Sequence, residues 1–164
     1  MIYLRSILFE CAFAFLTFCL ALVNCILGLF NRRIIIATGR VWGRGTTLLL
    51  RLLCGITIEI RGREHIPEGA AIVASKHQST LEAVLFADFL SNPIFSMKEE
   101  LTRIPLLGYS IRRSGAIPIK RSGGASALRI LIRHAKEAFK EGKQLLIFPE
   151  GTRTPPRTRG KYNP

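Results

Sequence analysis

The chain reads as an α/β fold, a mixed sheet flanked by helices and preceded by a membrane-anchoring helix or two-helix motif. Three observations predict it. Residues 11–30 are apolar except for Thr17, Asn24 and Gly28. Beyond residue 55, short apolar runs alternate with stretches of helical periodicity, as strands alternate with crossover helices. The length, 164 residues, is that of one domain. Residues 1–54 are assigned to an anchor and amphipathic linker, and 55–164 to a globular domain.

Twenty helical residues span roughly 30 Å, the thickness of a bilayer's hydrocarbon core. A cleaved signal peptide fits less well: Arg5 is the one cation before the run, and no small-x-small site follows it. Arg32, Arg33, Arg40 and Arg44 come after it, so the positive-inside bias leaves the C-terminal part in the cytoplasm. Glu10 and Asn24 are awkward in a full span. The next apolar stretch, 47–58, is interrupted by Arg51 and is too short to cross. A single span and a helix pair lying in one leaflet both stay open.

The remaining elements follow in order. Residues 56–60 alternate apolar and polar as a half-buried strand does, and 70–74 form a buried strand after the turn Pro67-Glu68-Gly69. Residues 81–90 are apolar almost all round, hence a buried helix. Strands are expected at 94–97 and 116–119, with Pro118 placing the second at a sheet edge. Residues 125–141 make the clearest helix, with Leu128, Leu131, Ile132, Ala135, Ala138 and Phe139 on one face and Gly142 at its C-terminal stop. A buried strand at 144–148 leads into a loop at 153–164, which carries Pro155, Pro156 and Gly160. With no element after that loop, the last strand is expected to lack a neighbour, as in an interrupted domain.

Net charge is +13 and mean hydropathy +0.26. Such charge favours anionic partners, and beside an apolar anchor these are lipid head groups, phosphorylated substrates or acidic carrier proteins. Nucleic acid is disfavoured: neither an aromatic-rich basic sheet nor a zinc pattern is present. The four cysteines, Cys11, Cys19, Cys25 and Cys54, show no C-x-x-C spacing. They support neither a metal site nor a disulfide framework, and they exclude a catalytic thiol from the globular part.

Two motifs carry chemistry. In Lys76-His77-Gln78-Ser79-Thr80-Leu81-Glu82 a histidine follows a buried strand, five residues before a carboxylate. His77 is suited to take a proton from a hydroxyl, and Glu82 to hold the imidazole and stabilise its cation. Glu82 also fits a capping box with Ser79 as N-cap; both readings stand. In Phe148-Pro149-Glu150-Gly151-Thr152-Arg153 a strand ends in a turn bearing an arginine, a residue that forks onto phosphate. Between them, Lys120 and Arg121 precede Ser122-Gly123-Gly124 and a helix start, where an anion is favoured, although an ordinary solvated turn reads the same way. Arg129, Arg133, Lys136 and Lys140 stripe one helix face, a solvated or membrane-facing pattern.

These motifs resemble those of the glycerolipid acyltransferases, specifically the bacterial 1-acylglycerol-3-phosphate acyltransferases. The first family motif is N-H-x-x-x-x-D; here Lys76 replaces the Asn and Glu82 the Asp. The segment Gly115–Arg121 resembles the second, and residues 148–153 match the third at every position. The resemblance covers residue 55 onward and makes 55–164 an acyltransferase domain, incomplete at the C-terminus because a fourth, proline-containing motif is missing. It implies His77 as base with Glu82 its partner. It also implies Lys120, Arg121, Glu150 and Arg153 on the phosphate or head group, and Lys98 and the Gly151 N–H as oxyanion donors. For Lys98, a surface charge at a helix start is an equal alternative. The implied reaction moves an acyl group from acyl-CoA or acyl-carrier protein to lysophosphatidic acid at a membrane, without metal or organic cofactor. Glycerol 3-phosphate or another lysophospholipid is the alternative acceptor, and a catalytically dead membrane scaffold the alternative class. The family's two-helix N-terminal arrangement matches the in-leaflet geometry.

Overall fold

The structure is a computed structural model that describes residues 1–120, 123–158 and 160–162. It opens with an antiparallel helical hairpin, α1 (Ile2–Leu27) and α2 (Arg32–Leu49). Asn31 caps α2 by accepting from the Arg33 N–H at 2.8 Å. Polar side chains pin the hairpin along its length. Trp42 Nε1 donates to Thr17 Oγ1 at 2.9 Å, the Thr38 hydroxyl donates to Asn24 Oδ1 at 2.7 Å, and Arg5 Nε donates to the Leu53 carbonyl at 2.6 Å. Asn24, awkward in a lone span, is thus buried and paired. A π-helical turn (Leu50–Cys54) ends α2 at Gly55, whose φ of +70° suits glycine.

Four strands form one sheet in the order β1-β4-β2-β3, where β1 is Ala71–Ala74, β2 Pro93–Lys98, β3 Ile117–Ile119 and β4 Gln144–Ile147. Every pairing is parallel. This corrects the expectation of a mixed sheet, for each described strand after β1 follows a helical crossover rather than a hairpin turn. The α/β class and the flanking helices hold. Pro118 does lie in an edge strand. Residues 56–60 correct another expectation: they are irregular, and Ile56 and Ile60 are exposed. Alternation makes a strand only where a neighbour supplies hydrogen bonds, and no described strand does so there.

Strand β4 corrects a third. Far from lacking neighbours, the last strand sits between β1 and β2, with Leu146 wholly buried. Gln144 bolts its start: Oε1 accepts from the Ser91 N–H at 2.9 Å and the Asn92 N–H at 3.3 Å, while Nε2 donates to the Pro67 carbonyl.

Helices α3 (Leu81–Phe89) and α4 (Leu107–Ser114) connect β1 to β2 and β2 to β3, and α5 (Gly124–Lys140) connects β3 to β4. Right-handed crossovers put α3 and α4 on one face and α5 on the other. The hairpin packs on the first face, where Arg44 Nε meets Asp88 Oδ1 at 2.8 Å and Arg40 Nη2 donates to the Ser91 carbonyl at 3.0 Å. On the second, Ala135 and Ala138 of α5 close over Ile94, Ile117 and Leu145. Helix α5 does not reach over β1. Ile72, opposite Leu145, therefore stays 59% exposed, and Leu128 and Ile132, expected in the core face, are exposed as well.

Candidate active site

Because all four strands run the same way, their C-terminal ends share one edge of the sheet, the usual place for a site in an open α/β fold. His77 follows β1, residues 148–153 follow β4, Lys98 ends β2 and Lys120 follows β3. One edge gathers residues that lie far apart in the sequence.

His77 and Glu82 meet there, with Nδ1 3.3 Å from Glu82 Oε2. Glu82 also caps α3: its carboxylate accepts from the Ser79 N–H at 2.9 and 3.0 Å, and the Ser79 hydroxyl accepts from the Leu81 N–H at 3.0 Å. Both readings of Glu82 are realised in one carboxylate. The imidazole is further held by Phe148, whose ring stacks on it with centroids 4.0 Å apart and planes inclined by 21°. The Thr154 N–H donates to the His77 carbonyl at 2.8 Å, fixing the backbone beneath. With Nδ1 turned to the carboxylate, Nε2 is the nitrogen left to exchange a proton with a substrate.

The neighbouring residue makes a second pair. Lys76 Nζ lies 3.1 Å from Glu150 Oε1 and donates also to the Thr158 carbonyl. Glu150, 5% exposed, accepts from the Thr154 hydroxyl at 2.7 Å and the Gly160 N–H at 3.1 Å. The Thr154 hydrogen bond, helped by Lys76 and Gly160, outweighs the effect of burial and lowers the Glu150 pKa to about 2. Glu150 is expected on the head group, but its carboxylate is turned inward. It clamps the loop after β4 onto the loop after β1. A cleft of about 580 Å³ opens on the clamp's side, walled by Ser75, Lys76, Pro149, Glu150, Gly160 and Tyr162.

Gly151, expected as an oxyanion donor, has φ +62°, and its N–H donates to the Phe148 carbonyl at 2.9 Å. Lys98 is half-exposed, with Nζ 3.5 Å from Glu100 Oε1. Exposed Arg153 donates from Nη2 to Thr80 Oγ1 at 3.1 Å, beside the start of α3 and two residues from Glu82. Lys120 is exposed at the end of β3, and Arg121 lies outside the described residues. Sequence reasoning did not anticipate Phe148 as a stacking partner, Thr154 as a tie, or the Lys76–Glu150 pair. A pair so far apart in the chain leaves no local signal; the Lys in place of Asn at position 76 was the nearest one.

Residues 57–162 match the family model described as Acyltransferase. The chain belongs to that family. Among its curated relatives, the 1-acyl-sn-glycerol-3-phosphate acyltransferase of Pseudomonas aeruginosa is 38% identical over 122 residues, covering 74% of this chain and 48% of the relative. The human 1-acyl-sn-glycerol-3-phosphate acyltransferase alpha is 30% identical over 108 residues, 65% of this chain and 38% of the relative. The crystal structure of the 1-acyl-sn-glycerophosphate (LPA) acyltransferase PlsC from Thermotoga maritima matches with a TM-score of 0.69 and 27% identity, over 95% of this chain and 65% of that one. The chain thus spans about half the length of the curated relatives it matches, or less. As a member of the acyltransferase family, it carries its histidine and glutamate on the first strand-to-helix turn and its P-E-G-T-R turn after β4.

Proposed function

We propose that the protein transfers a fatty acyl group from acyl-CoA or acyl-carrier protein to the free hydroxyl of 1-acylglycerol 3-phosphate, giving phosphatidic acid. The observation that carries this reading is the His77–Glu82 pair, stacked under Phe148 at the strand ends. His77 Nε2 takes the hydroxyl proton as the oxygen attacks the thioester carbonyl carbon. Glu82 stabilises the imidazolium, and collapse of the tetrahedral intermediate expels the thiolate, which recovers the proton. Transfer is direct, because the serine beside the base, Ser79, is engaged as a cap. Arg153 and Lys120, with Arg121 beside it in sequence, are the cations assigned in this reading to the acceptor's phosphate.

The relatives' printed activity supports the acceptor chosen. A lyso-ornithine lipid O-acyltransferase of Pseudomonas aeruginosa, 31% identical over 106 residues, shows that family members differ in head group. Residues 55–164 are the catalytic unit in this reading, facing the cytoplasm. The hairpin lies in one leaflet of the inner or plasma membrane, since one side of α1 is already packed on α2 and α4 while Phe15, Phe18, Leu22 and Ile26 stay exposed.

The test is an acyl-transfer assay in lipid vesicles. It offers lysophosphatidic acid and lyso-ornithine lipid as acceptors and acyl-CoA and acyl-carrier protein as donors, with His77→Ala as control. Phosphatidic acid formation dependent on His77 is expected. Its absence with both donors, or preference for the lyso-ornithine acceptor, removes this reading.

A further inference from the structure

Beside α1 the chain makes an unusual turn at residues 104–107. Leu106 has φ +60° and ψ −55°, a conformation that an L side chain rarely adopts, and the Leu107 N–H donates to the Pro105 carbonyl at 2.6 Å. This is a strained γ-turn, and such strain persists where surrounding structure enforces it. Here the enforcement is visible. Gly108 packs so closely under the Thr102 carbonyl that a Cβ would stand 2.1 Å from that oxygen. Arg112 donates to the same carbonyl, and Cys25 Sγ of α1 reaches the Leu106 carbonyl at 3.8 Å.

The rigid turn presents apolar groups to solvent. Ile104 is 43% exposed, and Leu101 just before it is exposed as well. The turn and α1 enclose an apolar notch of about 300 Å³, lined by residues 104–107 with Phe13, Phe18 and Ala21. Across the notch runs the exposed apolar side of α1. Flanking the turn in sequence are Arg103, which pairs with Glu99 at 3.3 Å, Arg112, which donates to the Thr102 carbonyl, and Arg113, which donates to the Gly28 carbonyl at 3.0 Å, with Glu100 the other acid. An apolar tip flanked by more arginines than carboxylates matches an anionic leaflet, with head groups above and acyl chains below.

We infer that residues 104–107 form a second, preformed membrane-insertion point beside α1, whose notch seats an acyl chain of a leaflet phospholipid. The inference rests on the membrane-associated reading above and deepens it. Contact through the α1–α2 hairpin alone leaves the tilt of the globular part against the leaflet free. A second contact removes that freedom. Because the turn follows the C-terminal end of β2, it brings the edge carrying His77 down to the lipid surface, where a lysolipid enters sideways without leaving the leaflet.

The experiment places a single tryptophan at chosen positions in a Trp42→Phe background and measures quenching by vesicles of phosphatidylcholine and phosphatidylglycerol brominated along the acyl chains. Phe18→Trp is the helix probe on α1, Ile104→Trp the turn probe, and Ile72→Trp a sheet probe at an exposed apolar site away from both. Quenching of the turn probe to at least half the extent of the helix probe, with the sheet probe unquenched, is expected. A quenched helix probe with an unquenched turn probe overturns the second contact and leaves the membrane reading standing; no quenching of either removes both. Quenching of the sheet probe to the level of the turn probe overturns the proposed orientation. Ile104→Asp in the otherwise unaltered chain gives an independent measurement. It should weaken vesicle binding at least about tenfold, as moving a charge into hydrocarbon requires, with the melting transition unchanged. Unaltered binding overturns the inference.

Discussion

Adjacent residues of one loop, Lys76 and His77, each face a glutamate, and the two pairs are built to opposite ends. Glu150 is buried and held by an ammonium, a hydroxyl and a backbone N–H. Glu82 is divided between the Ser79 N–H, which it caps, and the His77 ring, which is left one nitrogen for a substrate. A carboxylate satisfied on every side by fixed donors holds chain segments together. One that shares its charge with a titratable, partly exposed ring can follow a proton. Sequence spacing does not separate these roles. The count and mobility of the donors does.

The contrast between the pairs is tested most severely at His77. His77→Ala should lower acyl transfer by roughly 10²–10⁴-fold, the contribution of a positioned base, while fold and vesicle binding persist. More than about a tenth of the activity remaining would exclude it as the base. Arg153→Ala comes next. Losing a charged hydrogen bond costs about 1.5–3 kcal/mol, so the acceptor KM should rise roughly 10–150-fold with little change for the acyl donor. Equal effects on both substrates place Arg153 elsewhere.

Glu82→Gln sharpens the contrast, because an amide oxygen still caps Ser79 but brings no charge to the imidazole. Turnover should fall at least about tenfold, with stability within about 0.5 kcal/mol of the parent; Glu82→Asp should stay active. A fully active Gln variant would make Glu82 as structural as Glu150. Glu150→Gln is the mirror experiment, expected to lower the melting temperature first and activity only as a consequence. Its acid behaviour follows from sign. The folded carboxyl titrates at about 2 against an ordinary 4.5. Its stabilising effect is therefore complete above the ordinary value and is lost as pH falls from there toward 2. Denaturant unfolding over that window should show a shallower pH dependence for Glu150→Gln than for the parent; identical slopes would remove Glu150 as the source.

How much was legible in the sequence varies with how local the cause is. The helices at 81–90 and 125–141 and the strands at 70–74, 94–97, 116–119 and 144–148 carry their own periodicity and turn residues, and they appear within a residue or two. The pairing of His77 with Glu82 is also local, a matter of one helical turn. Residues 56–60 show the limit: the alternation is present, but a strand needs a partner that no nearby residue specifies. Orientation was likewise illegible. Nothing in P-E-G-T-R says that the Glu side chain turns inward while Arg turns out, nor that the Gly151 N–H is consumed by its own turn. Leu128 and Ile132 repeat the lesson, since periodicity marks an apolar face without saying whether the sheet extends beneath all of it.

The insertion of β4 between β1 and β2 has a consequence for how the molecule is made. Neither of those strands touches the other, and Ala71 finds its partner only when Gln144 arrives. During synthesis the α1–α2 hairpin, whose contacts are short-range, can fold and meet lipid early, whereas the sheet has only its β2–β3 pair until β4 emerges. Ribosome-bound chains halted before β4 should be cleaved readily by protease between β1 and β3, and chains halted after it should resist. On the membrane reading proposed above, the protein's birth order then runs from the membrane inward, with the edge of strand ends assembled last.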